Sequence, residues 1–290
     1  MRRLALLGWN DNTQRCLDAL AYRQRVPSVV VVPAGVESSA LQAQARGWGI
    51  EVRVADRQTA LRTLLPDIAL IASASWPLKI SAEDIAAFPD AIINVHGAAL
   101  PRWRGPHPLN WALLADDPTI GVTVHHVAVG LDEGDIILQQ TLPLNDEDTL
   151  LDVRALVHRA GAALLADAVA RLDRGDAPRI PQDPAAATQA RRRTPDDGRI
   201  TWSASARTCF AHIRASGRPT PGAFTHRGDE RVTIWRAAIT TSPAGSELPG
   251  TVLQTHPMPI VRTGDGGALA LLEWEGPTLA VGDRLASPTG

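Results

Sequence analysis

The stretch Ile92-Ile93-Asn94-Val95-His96-Gly97-Ala98-Ala99-Leu100-Pro101-Arg102-Trp103-Arg104-Gly105-Pro106 reads as an apolar strand running into a loop rich in Gly and Pro. Alternate residues of a strand share a face, so Asn94 and His96 leave the same side near its carboxyl end. Unbroken apolar runs at 4–8, 28–32 and 68–72 precede it. Continuous rather than alternating runs are expected of strands buried on both faces. Segments of helical composition lie between them, at about 13–23 and 38–46. This strand–helix rhythm predicts a Rossmann-like α/β domain with a mostly parallel sheet and helices on both faces.

Downstream, a helix is expected at 108–114, strands at 121–127 and 136–142, and a long amphipathic helix at 149–172. In the last, Leu150, Val153, Leu156, Val157, Leu164, Leu165, Ala168 and Leu172 recur at helical spacing. A stretch rich in Pro, Ala and Arg follows from 176 to 195 and reads as connecting chain. Its Arg191-Arg192-Arg193 run is read as a solvated linker face rather than a nucleic-acid or phosphate contact. Beyond it, a helix at 204–215 and short strand-like runs at 232–237, 250–253, 260–262 and 268–274 predict a small, mostly antiparallel barrel. The expected organisation is a catalytic domain at 1–180, a linker at 181–195 and a smaller α+β, OB-like barrel at 196–290.

Composition narrows the class. The chain has 290 residues, 44% hydrophobic and 21% charged, with a formal net charge of −2. That is ordinary for a globular enzyme and provides no global attraction to nucleic acid. Cys16 and Cys209 are far apart and in no CxxC pair, so neither a disulfide framework nor a thiolate metal site is expected. The opening Met1-Arg2-Arg3-Leu4-Ala5-Leu6-Leu7-Gly8 stops being apolar at Trp9-Asn10-Asp11, and it reads as a first buried strand rather than a leader. No run approaches the roughly 20 apolar residues of a membrane span, and a cytoplasmic location is the expectation. Gly8 begins no GxGxxG and there is no GxxxxGK[ST], which disfavours dinucleotide or ATP binding through those motifs.

The carboxyl end of a parallel strand faces the usual ligand crevice of an open α/β sheet. An amide and an imidazole placed there suit acyl transfer: the amide steadies a developing oxyanion and the imidazole takes a proton from an attacking amine. Asp132, in Gly130-Leu131-Asp132-Glu133-Gly134-Asp135, is presented by a glycine-flanked turn. A carboxylate hydrogen-bonded to His96 would fix its tautomer and favour its charged form. His125 and His126 are neighbours on a strand and point to opposite faces, so at most one faces the crevice; His125, two residues from Thr123, is the candidate. His96, His107, His125 and His126 lack a helical His-x-x-x-His or a nearby Cys, and no metal is expected.

In order and spacing, Asn94/His96, Leu100-Pro101 with Arg104-Gly105, Gly121-Val122-Thr123 and Asp132/Gly134 resemble the formyltransferase family. Residues 193–202, Ile213-Arg214-Ala215 and Pro221-Gly222-Ala223-Phe224 look like the carboxy-terminal domain of its tRNA and aminoarabinose branch. The family commonly has Ser where this chain has Ala98. The resemblance implies an N-formyltransferase of one-carbon metabolism using 10-formyltetrahydrofolate as co-substrate, with Asn94, His96 and Asp132 catalytic. The folate would lie against Ala72, Ser73, Ala74, Ser75 and Trp76 and against Leu131 to Asp135. Trp103 and Trp111 either wall the acceptor site or simply pack. Arg104, with Gly105, either meets a phosphate or carboxylate of the acceptor or forms a structural ion pair.

The tRNA enzyme typically carries a basic insertion after the second strand. Here Val32-Pro33-Ala34-Gly35-Val36-Glu37-Ser38-Ser39 holds no Lys or Arg, so phosphate-driven affinity would be weak at that edge. A small amine acceptor is therefore favoured, either a nucleotide-linked amino sugar or hydroxyornithine. A methionyl-tRNA formyltransferase is the alternative. From other classes, a formyltetrahydrofolate hydrolase and a non-catalytic folate-binding module remain to be distinguished. The sequence leaves oligomeric state open.

Overall fold

The computed structural model of the chain describes residues 2–241 and 245–286. Met1 and the last four positions of the expected barrel domain lie outside the described residues. A seven-stranded sheet carries the order β3-β2-β1-β4-β5-β6-β7. Its strands are β1 (Leu4–Leu7), β2 (Val29–Pro33), β3 (Glu51–Ala55), β4 (Leu70–Ala74), β5 (Ile92–His96), β6 (Thr119–His126) and β7 (Ile136–Pro143), and helices α1 (Asp11–Tyr22), α2 (Ser39–Gly47), α3 (Leu61–Leu64) and α4 (Ala82–Ala87) connect the first five. The pairs from β3 to β5 are parallel, while β5–β6 and β6–β7 are antiparallel. The sheet is therefore mostly parallel, as its unbroken apolar runs require.

Strand β3, absent from the sequence expectation, lies at the sheet edge beside β2. Its Glu51-Val52-Arg53-Val54 alternation belongs to a strand with only partial cover, and Val54 is exposed. At the other end of the first βα unit, Asn10 caps α1 (Asp11–Tyr22), its Oδ1 accepting from the Asn12 and Thr13 amides at 3.1 and 3.4 Å. Thr13 Oγ1 then donates to the Ala74 carbonyl at 2.8 Å, which locks this turn to the carboxyl end of β4.

The two faces of β5 have separate duties. Ile92 joins a buried cluster with Ala5, Leu7, Ile71, Leu61 and Phe88 on one side. On the other, Gly161 of the long helix α6 (Leu150–Arg174) runs so close that an added Cβ would meet Val95 and Val122 methyls at 3.0 and 3.2 Å. Asn94 and His96 project with Ile92, past the end of that cluster and away from α6.

The chain divides into two compact units. The first comprises Met1–Pro106, Thr119–Pro143 and Ala155–Ala190; the second comprises His107–Pro118, Leu144–Arg154 and Arg191–Gly290. The segment expected as a linker is thus shared between them, with 181–190 in the first and 191–195 in the second. In the second unit a six-stranded antiparallel sheet runs β10-β11-β12-β9-β8-β13. These are β8 (Ala223–Arg227), β9 (Glu230–Thr240), β10 (Val252–Gln254), β11 (Ile260–Arg262), β12 (Ala268–Glu275) and β13 (Leu285–Ala286). A Thr251–Arg284 bridge joins its two edges into a nearly closed barrel. Helix α7 (Ala206–Ser216) contributes Cys209, Phe210 and Ile213 to a core with Trp202, Val232, Ile234, Leu269 and Leu271.

Helix α5 (Pro108–Leu114) belongs to this second unit, where it packs on α7 and the Asn110 amide donates to the Ala215 carbonyl at 2.8 Å. Among the described residues no helix is long and apolar enough to cross a membrane.

Candidate active site

Three segments of the first unit converge at the carboxyl end of β5. The strand supplies Asn94 and His96, β6 supplies His125, and the turn before β7 supplies Asp132. Register places His125 directly across from Asn94, hence on the same face. The Asn94 Nδ2 and His125 Nε2 atoms are 3.3 Å apart. His125 Nδ1 lies 2.8 Å from the His126 carbonyl and donates to it, which leaves Nε2 turned toward Asn94 and Asp132. His126 pairs with Ile93 and takes the opposite face.

His96 is buried, with both ring nitrogens near oxygen acceptors. Nε2 donates to the Trp103 carbonyl at 2.9 Å, while Nδ1 stands 3.5 Å from Asp132 Oδ2. The other Asp132 oxygen is 3.5 Å from His125 Nε2, and the Gly105 amide donates to Oδ2 at 2.9 Å. The two imidazoles meet edge to face, with centroids 6.4 Å apart.

Electrostatics follow from this geometry. Burial alone would raise the Asp132 carboxyl, but His96, His125 and the Gly105 amide together hold it at about 2. For His96 burial is the largest influence and pushes its pKa down, against the upward pull of Asp132 and the Trp103 carbonyl. The cluster near neutrality is therefore an ionised carboxylate beside a neutral imidazole, which is the proton state a general base needs.

The loops that carry these groups are tightly built. Thr123 Oγ1 donates to the Ala98 carbonyl at 2.6 Å and accepts from the Leu100 amide at 3.2 Å. Gln139 reaches over from β7 to the Leu100 carbonyl and Thr123 Oγ1, each at 2.9 Å. Trp103 and Asp132 both adopt left-handed backbone, with φ of 61° and 56°. Such strain persists where surrounding bonds over-determine it, and it is common at working sites. Gly134 has no room for a side chain: an added Cβ would sit 1.8 Å from the His126 carbonyl.

The remaining expected residues fall into distinct places. Ala72, Ser73 and Ala74 are buried inside β4, where Ala72 and Ser73 are paired to β1 and β5, and Ala74 is paired to β5. The strand opens at Ser75, which has φ 58° and accepts from Asn12 Nδ2 at 3.1 Å, and at half-buried Trp76. Leu131 is 63% exposed at the lip of the Asp132 turn. Asp135 is paired with Arg179 at 3.0 Å.

Arg104 is buried, its Nε and Nη2 donating to Gln182 Oε1 at 3.1 and 2.9 Å and its Nη1 lying 3.2 Å from Glu133. Arg104 thus makes a structural ion pair with Glu133. Trp103 stands beside Arg102, whose guanidinium lies 4.7 Å from the ring centroid. Trp111 belongs to the second unit, where its indole donates to the Arg191 carbonyl at 2.8 Å.

Gln139, Gln182 and Thr188 carry no local sequence signal. An open hollow of about 410 Å³, lined by Arg15, Tyr22, Arg159 and Ala162 among others, contains none of these site groups. Among the described residues no group of His, Cys, Asp or Glu is arranged to hold a metal.

An amide, an imidazole and a carboxylate gathered beyond a strand of a mostly parallel sheet are groups able to serve chemistry at an acyl carbon. Comparison with known proteins narrows this class. Residues 2–169 match the formyl transferase family and residues 192–278 match the formyl transferase C-terminal domain. The first match spans more than half the chain, which therefore belongs to the formyl transferase family and is an enzyme of it.

Solved structures with the same fold include an N-formyltransferase from Helicobacter canadensis in complex with folinic acid and dTDP-3-aminofucose. It is 19% identical, with 93% of this chain and 99% of that one covered and a TM-score of 0.73. WlaRD, a sugar 3N-formyltransferase solved in the presence of dTDP and 5-N-formyl-THF, is 17% identical over 97% of this chain and 99% of its own, TM-score 0.72. Glycinamide ribonucleotide transformylase 1 from Symbiobacterium toebii is 25% identical over 60% of this chain and 89% of its own, TM-score 0.55.

Proposed function

We propose that the chain transfers the formyl group of 10-formyltetrahydrofolate to the amino group of a nucleotide-linked sugar. The observation that carries this is the convergence of Asn94, His96 and Asp132 in one unit, with the ionised carboxylate beside a ring that burial keeps neutral. Full-length likeness to proteins solved with folates and with dTDP or a dTDP-amino sugar supports the choice of both substrates. The turn after β2, which has no Lys or Arg from Val32 to Ser39 and carries the acidic Glu37, disfavours tRNA as acceptor.

In this reading the folate lies between the Ser75–Trp76 end of β4 and the Leu131–Asp135 turn. The amine lone pair attacks the formyl carbon and the carbonyl electrons move to oxygen. Asn94 and the Nε2–H of His96 receive that oxyanion, the imidazole exchanging the Trp103 carbonyl for it without moving its proton. The His96–Asp132 pair then carries the amine proton toward the folate nitrogen as the carbon–nitrogen bond to folate breaks. The products are a formamide and tetrahydrofolate. The first unit is the catalytic domain of a cytoplasmic biosynthetic enzyme, and the barrel of the second unit is OB-like.

The test is an acceptor panel of dTDP- and UDP-amino sugars, hydroxyornithine and charged initiator tRNA, read by mass for the formylated product. A formylated amino sugar is the expected product. Formylation of the tRNA alone overturns the acceptor, and formate release without acceptor moves the chain to the hydrolases.

A further inference from the structure

The segment that composition marks as connecting chain is laced to both loops of the site. Ile180 pairs with Ile136, its amide donating to the Ile136 carbonyl at 3.0 Å and its carbonyl accepting in return at 2.8 Å. Eight residues on, the Thr188 hydroxyl accepts from the Trp103 amide at 2.8 Å and its carbonyl from the Arg104 amide at 2.9 Å. The Ala190 amide donates to the Arg104 carbonyl at 2.6 Å. Gly105 has φ 119°, and a Cβ there would stand 2.5 Å from the Ala190 carbonyl, so this loop and the segment are fitted without room to spare.

Between those two fastenings lies Gln182, and its amide is fully used. Nε2 donates to the Asp132 and Gly134 carbonyls, both at 2.8 Å, and Oε1 accepts from two nitrogens of Arg104. One side chain thus ties the turn that presents Asp132 to the loop whose Gly105 amide binds the Asp132 carboxylate. Asp132 stands in left-handed backbone, a conformation unfavourable for a non-glycine residue that needs such outside bonds to persist. Gln182 lies between the two family matches, which end at 169 and resume at 192.

We propose that Gln182 is a positioning residue for Asp132, holding its carboxylate against His96. This rests on the reading that Asp132 works in formyl transfer. Glutamate at 182 would keep the acceptor for Arg104 and lose both donors to the Asp132 turn; methionine would lose everything but the shape. The experiment compares wild type, Gln182→Glu and Gln182→Met for kcat and KM with 10-formyltetrahydrofolate and an amino-sugar acceptor. It also follows the His96 ring titration by NMR in wild type and in Gln182→Met, whose new side chain adds no charge.

Positioning predicts that kcat falls about 10- to 100-fold in both variants while each KM stays within about threefold. The His96 midpoint in Gln182→Met moves down, because the carboxylate that raises it has drawn back. The charged groups that bear on this ring are Asp132 and His125. A kcat within twofold of wild type with an unmoved His96 midpoint overturns the proposal. So does a loss that only follows the folded fraction, again with the midpoint unmoved. If wild type transfers no formyl group yet the midpoint still moves, the formyl-transfer reading fails and the positioning of Asp132 by Gln182 stands.

Discussion

At the scale of single residues, the site is a contest between burial and one carboxylate over the proton of His96. Burial wins, so the His96 midpoint measured by NMR should lie below the usual 6.5. As pH falls below 6.5, the unfolded chain takes up a proton that the folded chain refuses, and this ring makes folding less favourable until its own lower midpoint is reached. Asp132→Asn removes the charge that favours the protonated ring and should lower the midpoint further; an upward move would contradict the pairing.

For turnover, Asn94→Ala should cost about 10²- to 10³-fold in kcat, the scale of a lost oxyanion donor, with the melting curve kept. Asn94, His96 and Asp132 were legible because strand alternation and a glycine-flanked turn mark them locally. His125 was legible only as one of two neighbours, and register with Asn94 separates them. Gln139, Gln182 and Thr188 act on backbone from 39, 50 and 85 positions away, and no local pattern encodes that.

At the scale of elements, the loops after β5 and before β7 are as closely fitted as the strands. Thr123→Val would leave the Leu100 amide and Gln139 without their shared acceptor in a buried setting. That should destabilise the fold by about 1–3 kcal/mol, read from chemical denaturation; an unchanged midpoint would show the loop to be held by other means. Gly105→Ala should lower stability by at least as much, since it adds both left-handed strain and a clash with Ala190.

The buried strands β1, β2, β4 and β5 were readable from their continuous apolar runs. Strand β3 was not, because Glu51 and Arg53 break the run of an edge strand. Strand β8 escaped too: Ala223-Phe224-Thr225-His226-Arg227 is too mixed to signal without its partners β9 and β13. The connecting chain at 181–190 showed only its polarity, whereas its role lies in side chains and carbonyls that meet loops distant in sequence.

At the scale of the molecule, the second unit borrows from the middle of the chain. Helix α5 and the 144–154 stretch belong to it, held by Asn110 on Ala215, by Arg207 on Asp116 and Asp146, and by Arg214 on the Asn145 and Asp148 carbonyls. A fragment ending at Ala190 would leave Leu109, Ala112 and Leu113 of α5 without α7. It should melt below the intact chain and bind a hydrophobic dye; a melt matching full length would contradict that dependence. Composition suggested two domains, but a boundary drawn once along the sequence cannot represent a unit that takes up three separate segments.

The proposed passage of a formyl group from folate to an amine at this cluster can be followed directly. The direct measurement is the stoichiometry of a single turnover, with enzyme in excess over 10-formyltetrahydrofolate and a dTDP-amino sugar present, quenched and analysed by mass. One formylated sugar is expected for each tetrahydrofolate released, and no release when the sugar is left out. Equal release of tetrahydrofolate and formate, with or without the sugar, would contradict it.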